Sequence, residues 1–246
     1  MVYLNTVIIT IIVLGDGPRK RINMNFLSIF DVIGPNMVGP SSSHTAGAAA
    51  IGLMAGKLCP GKIKKATFTL YGSFALVYKG HGTDRALLGG VLGFNTDDLR
   101  IKNAFEESKK YGMEYNFIFD KDTVPEHPNT ADIELEGVNG YHLKVRGVSI
   151  GGGKIKITMI NDIKVEFTGE YSTLIIKQND VPGVVAHITQ CLSDNSVNIA
   201  FMRLFRDSKG GTAFTVVESD EAIPDDIISH INDNKNVLDT ILVQPG

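Results

Sequence analysis

The chain has 246 residues, 43% hydrophobic and 21% charged, the composition of an ordinary globular protein of one or two domains. Its 24 Lys and Arg against 27 Asp and Glu give a formal net charge of -3, which argues against non-specific nucleic-acid binding, since that rests on neutralising phosphates. Cys59 and Cys191 stand far apart, which excludes a disulfide scaffold and any all-cysteine metal site made by this chain alone; an iron–sulfur cluster takes about three or four thiolates.

Residues 1–23 hold an apolar run, Val7 to Leu14, closed by Gly15-Asp16-Gly17-Pro18. A membrane-spanning helix takes roughly 20 apolar residues, so the run is too short to span. The basic residues Arg19, Lys20 and Arg21 follow it, the reverse of a secretory signal. Met24 opens a fresh pattern, and residues 1–23 are expected to be an extension outside the fold. With reduced, scattered cysteines, the expected location is the cytoplasm.

From Met24 the chain reads as α/β (α+β). Residues 46–58, rich in Ala and Gly and closed by Cys59-Pro60-Gly61, read as a helix whose small side chains allow close approach to a sheet or another helix. A strand at 65–71, helical turns at 73–79 and a glycine-containing helix at 83–93 follow. The spacing of Leu99, Ile101, Ala104 and Phe105 predicts one amphipathic helix over 97–111. Strands are expected at 114–119, 132–135, 141–145, 155–160 and 164–167, the last two joined by Asn161-Asp162. Gly169-Glu170 marks a boundary between a domain at 24–169 and one at 170–246. The second domain reads strand 173–177, a helix to about 195, a hairpin of 197–205 and 213–217, a helix 224–233 with Pro224 in its first turn, and strand 237–243. That is a ferredoxin-like β-α-β-β-α-β order.

Four segments carry candidate chemistry. Gly39-Pro40-Ser41-Ser42-Ser43-His44-Thr45 lies directly before the 46–58 helix. Unpaired N–H groups and the positive pole of a helix start, with these hydroxyls, make a site for a carboxylate or phosphate. His44 sits within it and can carry a proton near neutral pH. The plainer alternative is a serine N-cap beside a surface histidine. Gly80-His81-Gly82-Thr83-Asp84 sets a second histidine on a tight turn, where Thr83 or Asp84 can also simply cap the next helix. In Glu126-His127-Pro128-Asn129 the proline stiffens the backbone around His127 and Asn129. Ser149-Ile150-Gly151-Gly152-Gly153 either turns N–H groups to a ligand or makes a flexible hairpin. Phosphate-binding glycine motifs are absent, and His142, His187 and His230 read as structural. Three His-bearing turns converging would make a pocket for a small polar anion.

The segment MVGPSSSHTAGAAAIG at 37–52, with FDVIGP at 30–35, GHGTDRALLGG at 80–90, EHPNT at 126–130 and SIGGG at 149–153, resembles the beta chain of the iron–sulfur-dependent L-serine dehydratases (L-serine ammonia-lyases). The resemblance covers residues 24–246; the extension at 1–23 is not required by that family. The second domain, with its Asp180-x-Pro-Gly turn, is similar to an ACT domain. The resemblance implies conversion of L-serine to pyruvate and ammonia without pyridoxal phosphate, using a [4Fe-4S] cluster held by three cysteines of a separate alpha chain. It implies His44, His81 and His127 as catalytic residues, and Ser41, Ser42, Ser43, Thr45, Thr83, Asp84 and Asn129 as substrate-binding ones. It also implies pairing of two copies through ACT domains, with either an amino-acid effector at Asn179, Asp180, Pro182 and Gly183 or assembly alone as the role of that domain. The alternative is a non-catalytic serine-sensing regulatory subunit, since the first domain also resembles an allosteric substrate-binding domain of phosphoglycerate dehydrogenases.

Overall fold

A computed structural model of the chain describes residues 36–245. The expected extension at 1–23 lies outside them. Among the described residues ten strands, numbered β1 to β10 in chain order, form two sheets, a six-stranded one ordered β2-β1-β3-β4-β5-β6 and a four-stranded one ordered β10-β7-β9-β8.

In β1 (Ile63–Tyr71), Ala66, Phe68 and Leu70 are fully buried while Thr67, Thr69 and Tyr71 take the other face, the period-2 pattern of a strand covered on one side. β1 pairs in parallel with β2 (Glu114–Asp120) and antiparallel with β3 (Thr130–Gly137), which continues into β4 (His142–Gly151), β5 (Lys154–Ile160) and β6 (Ile163–Phe167). β3 and β4 run longer than their apolar residues predict. Across them Asp132 faces Arg146, which donates to both its carboxylate oxygens at 2.6 and 2.7 Å, so charged residues carry the open face of the ladder.

Helix α1 (Gly47–Leu58) packs on the covered face beside α3 (Thr83–Val91). The approach is set by glycine: a Cβ at Gly52 would strike Leu87 O, and one at Gly90 would strike Ala49 O. The small residues of the 46–58 segment thus serve both approaches, α3 on one side and β4 on the other, where Gly147 fits under Ile51. In chain order α2 (Gly72–His81) comes between α1 and α3, ended by Gly82 at φ +66 in the left-handed region.

The single helix expected over 97–111 is a 3-10 turn, Leu99–Asn103, followed by α4 (Ala104–Tyr111). Asp98 causes the break: its carboxylate accepts the Arg100 backbone N–H at 2.9 Å and also binds the Arg100 guanidinium, which tightens the turn and leaves Leu99 exposed.

The second sheet is built from β7 (Ser172–Asn179), β8 (Phe201–Arg206), β9 (Thr212–Ser219) and β10 (Val237–Val243), all antiparallel, with α5 (Val184–Asp194) and α6 (Ile227–Asn232) on one face. The hairpin begins at Phe201 rather than 197. Ser196 at φ +57 ends the helix and the Val197 N–H closes back on Leu192 O, so those residues cap α5. Leu174, Ile176, Ile188, Leu192, Val217 and Ile227 fill the core under the helices. The other face of the sheet, with Ile175, Phe214, Val216 and Val243, belongs to the same buried cluster as the first domain. Tyr141 OH donates to Asp239 at 3.2 Å and Lys57 Nζ to Gln244 O at 2.9 Å across the same contact.

Candidate active site

Ser41 lies in extended conformation and caps the first turn by accepting the His44 N–H at 3.1 Å. The next five residues, Ser42–Ala46, form a π turn, with Ala46 N–H on Ser41 O and Gly47 N–H on Ser42 O. Such one-residue expansions of a helix recur at functional sites. Apart from the His44 N–H, taken by the Ser41 hydroxyl, the N–H groups opening this turn have no acceptor within it, as at any helix start.

The turn presents His44. Its Nδ1 lies 2.9 Å from Ser43 Oγ, and Ser43 Oγ lies 3.4 Å from Ser41 Oγ. Its Nε2 lies 2.7 Å from Ser73 Oγ, in the first turn of α2. Phe74 meets the ring edge-on at 5.4 Å, and the His81 ring lies 4.9 Å away. Burial, and then the like charge of His81, hold the His44 pKa below the usual 6.5, so the ring is neutral at pH 7. A neutral imidazole in this setting can accept a proton.

His81 ends α2, and its carbonyl accepts the Thr45 hydroxyl at 2.8 Å. That bond commits the buried Thr45 hydroxyl to joining two turns. Thr83, fully buried, opens α3 one residue past Gly82. Asp84 accepts the Arg85 N–H at 2.9 Å, and burial raises its pKa. His127 Nδ1 accepts the Asn129 N–H at 3.2 Å, so the neutral ring carries its proton on Nε2. Pro128 O accepts the Ser73 N–H at 2.8 Å. Gly72, just before Ser73, has φ +51, and a Cβ there would sit 2.6 Å from Pro128 O. Ser149 closes the set: its N–H donates to Asn129 O at 3.0 Å, and its side chain lies where a Cβ on Gly47 would be. Gly151, Gly152 and Gly153 all have positive φ and make the β4–β5 hairpin, so of SIGGG it is the serine that reaches the site.

These bonds draw the expected turns to one end of the first domain. His44 and His81 are in ring contact, and His127 joins them through Pro128 and Ser73. Among the described residues five buried side-chain polar atoms have no hydrogen-bond partner, and four of them lie on these turns: His81 Nδ1, Thr83 Oγ1, Asn129 Oδ1 and Ser149 Oγ. Each such atom costs about 1–3 kcal/mol unless a ligand or partner satisfies it.

A profile of the serine dehydratase beta chain matches residues 28–159, more than half of the chain, and one of the ACT domain matches residues 172–236. The chain belongs to the serine dehydratase beta-chain family. It is 41% identical over 215 residues to a "Probable L-serine dehydratase, beta chain" of Bacillus subtilis, covering 87% of this chain and 97% of that one. It is 41% identical over 208 residues to an "L-serine dehydratase, beta chain" of Peptoniphilus asaccharolyticus, covering 85% and 94%. A D-3-phosphoglycerate dehydrogenase of Synechocystis is 24% identical over 235 residues, 95% of this chain and 41% of that one.

The residues present do not make a seat for an iron–sulfur cluster. Cys59 and Cys191 belong to separate buried clusters, and burial pushes both thiols up, away from the thiolate a metal needs. Among the described residues no group of three or more His, Cys, Asp or Glu is placed to hold a metal ion. No described helix is long and apolar enough to cross a membrane.

The ACT-domain turn is differently built. Asp180 Oδ2 accepts the Gly210 N–H at 3.0 Å and Arg206 at 3.3 Å, and these hold its carboxyl below the usual range, the backbone bond first. Asn179 N–H goes to Asn236 O and Asp180 N–H to Gly211 O. Pro182 and Gly183, at φ +94, then lead into α5. His187 Nε2 lies 3.0 Å from His230 O and ties α5 to α6, a structural role. Sequence reasoning missed Ser73; its signal is Gly72-Ser73 at the carboxyl end of a parallel strand, where α/β folds place ligands.

Proposed function

We propose that this chain supplies the serine-gripping and proton-handling half of an L-serine dehydratase that forms pyruvate and ammonia. The relatives' printed names and the set of unsatisfied polar atoms around His44 support this reading. The substrate carboxylate sits on Ser41, Ser42, Ser43 and the N–H groups opening their turn. His44, neutral at pH 7, takes the α-proton, while His81, Thr83, His127, Asn129 and Ser149 line the rest of the site. Loss of the β-hydroxyl gives aminoacrylate and water; aminoacrylate then tautomerises and hydrolyses to pyruvate and ammonia without further help.

Departure of the hydroxyl calls for a Lewis acid. We assign it to a [4Fe-4S] cluster, placed on an alpha chain because this chain lacks the thiolates, and take pyridoxal phosphate to play no part; no step of that chemistry falls to residues here. The alpha chain docks over the three turns. Val124 and Ile150, both exposed, share a cleft of about 430 Å³ with His127, and the exposed Leu76 and Val77 line another with His81. Two copies pair through the edges of their ACT sheets, since the face opposite the ACT helices already packs on the first domain.

The test is turnover of an anaerobically reconstituted alpha–beta pair. His44→Ala and His127→Ala are each expected to cut the rate by about 10²-fold or more; near-native rates in both refute the assignment. The second reading, a serine-sensing regulatory subunit, is favoured by the alignment with the phosphoglycerate dehydrogenase across both domains. It predicts serine binding by this chain and no effect of either substitution on turnover.

A further inference from the structure

We propose that Ser73 is a positioning residue for His44, fixing the place of the ring and which nitrogen carries its proton. The proposal rests on His44 acting as the base. A neutral imidazole has one N–H donor and one acceptor nitrogen. Here both nitrogens meet hydroxyls, Ser43 on Nδ1 at 2.9 Å and Ser73 on Nε2 at 2.7 Å. Ser43 rides on the same turn as His44 and moves with it. Ser73 comes from another element, 29 residues on, and is itself held.

Three contacts hold it. Its own N–H donates to Pro128 O at 2.8 Å. Gly72 before it is locked at φ +51 against that same carbonyl. Phe74 after it is fully buried and packs edge-on to the His44 ring. Ser73 is therefore the fixed point against which His44 is set, and the link between the His44 turn and the His127-Asn129 turn. A base has to be held in one orientation to work on a bound substrate, and small displacements cost heavily.

Histidine ring nitrogens are read by NMR in the full chain, with His44 identified through His44→Gln. One tautomer is expected in the wild type, averaging of the two nitrogens in Ser73→Ala, and a wild-type pattern in Ser73→Thr, which keeps the hydroxyl. Should Ser73→Ala fail to fold, Ser73→Cys, with a longer and weaker bond, reads the same change. In the reconstituted pair Ser73→Ala lowers kcat by roughly 10- to 100-fold with KM within about twofold, and Ser73→Thr restores most of it. A folded Ser73→Ala chain with the wild-type His44 spectrum overturns the proposal. A changed spectrum with unchanged kcat upholds the positioning and refutes His44 as the base, which separates this proposal from the one it rests on.

Discussion

Two turns of this chain that lead into helices, Ser41–Thr45 in the first domain and Asn179–Gly183 in the ACT domain, are finished differently. Around the first, His81, Thr83, Asn129 and Ser149 each leave a buried polar atom unpaired. At the second, Asp180 is bonded to Gly210 and Arg206, and Asn179 to Asn236. The first leaves polar atoms for a ligand or partner to satisfy; at the second the turn is bonded within the chain, and an effector there has to displace Arg206 or enlist the opening of α5. On the proposed reading, unsatisfied polarity points to the site more sharply than the presence of serines or glycines does, although the ACT domain also holds one such atom, Glu218 Oε1.

The largest effect expected from breaking this contrast is in His44→Ala, which lowers turnover of the reconstituted pair by about 10²-fold or more while leaving the thermal midpoint of the lone chain within a few degrees. Next is Ser149→Ala. It removes an unpaired buried hydroxyl, so it stabilises the lone chain by about 1 kcal/mol, roughly 2–4 °C in Tm for a chain of this size, and yet slows turnover about tenfold. Asp180→Ala should behave in the opposite way: loss of the bonds to Gly210 and Arg206 lowers the thermal midpoint of the lone chain, with turnover in the absence of effector within about twofold. Calorimetry and steady-state kinetics on the same preparations check both.

The smallest effect is in pH dependence. His44 has to be neutral to accept a proton, so kcat/KM falls as pH drops through its depressed pKa. His81→Asn removes the like charge and moves that acidic limb upward, toward 6.5. The same depression means that below about 6.5 the unfolded chain binds a proton the folded one refuses. Stability is therefore lost as pH falls through the window down to the folded value, and His81→Asn narrows that window.

Much of this was legible in the sequence because the site is made of short-range signals. Glycine or proline beside His81 and His127, and the Gly39-Pro40-Ser run before His44, announce turns at helix or strand ends, and the structure sets such turns together. What was not legible depends on partners distant in sequence. Ser73 acquires its place only when α2 lies against the His44 turn, and Ser149 only when β4 passes beneath Gly47. The break at Asp98 turned on a local carboxylate bond competing with helix propensity. The shared core of the two domains left a trace that periodicity alone does not decode: Thr173 to Ile176 and Ala213 to Val217 are apolar on both faces, as strands buried on both sides are. An ACT module cut out at Gly169-Glu170 would expose Ile175, Phe214, Val216 and Val243, so effector titrations belong on the full chain.

The central claim, that this chain grips serine and handles its proton but does not break the C–O bond alone, is tested most directly by measuring pyruvate release from L-serine under anaerobic conditions with the purified chain, before and after adding a cluster-bearing alpha chain. The account predicts no release from the chain alone and steady turnover from the pair. Steady turnover by the chain alone would contradict it.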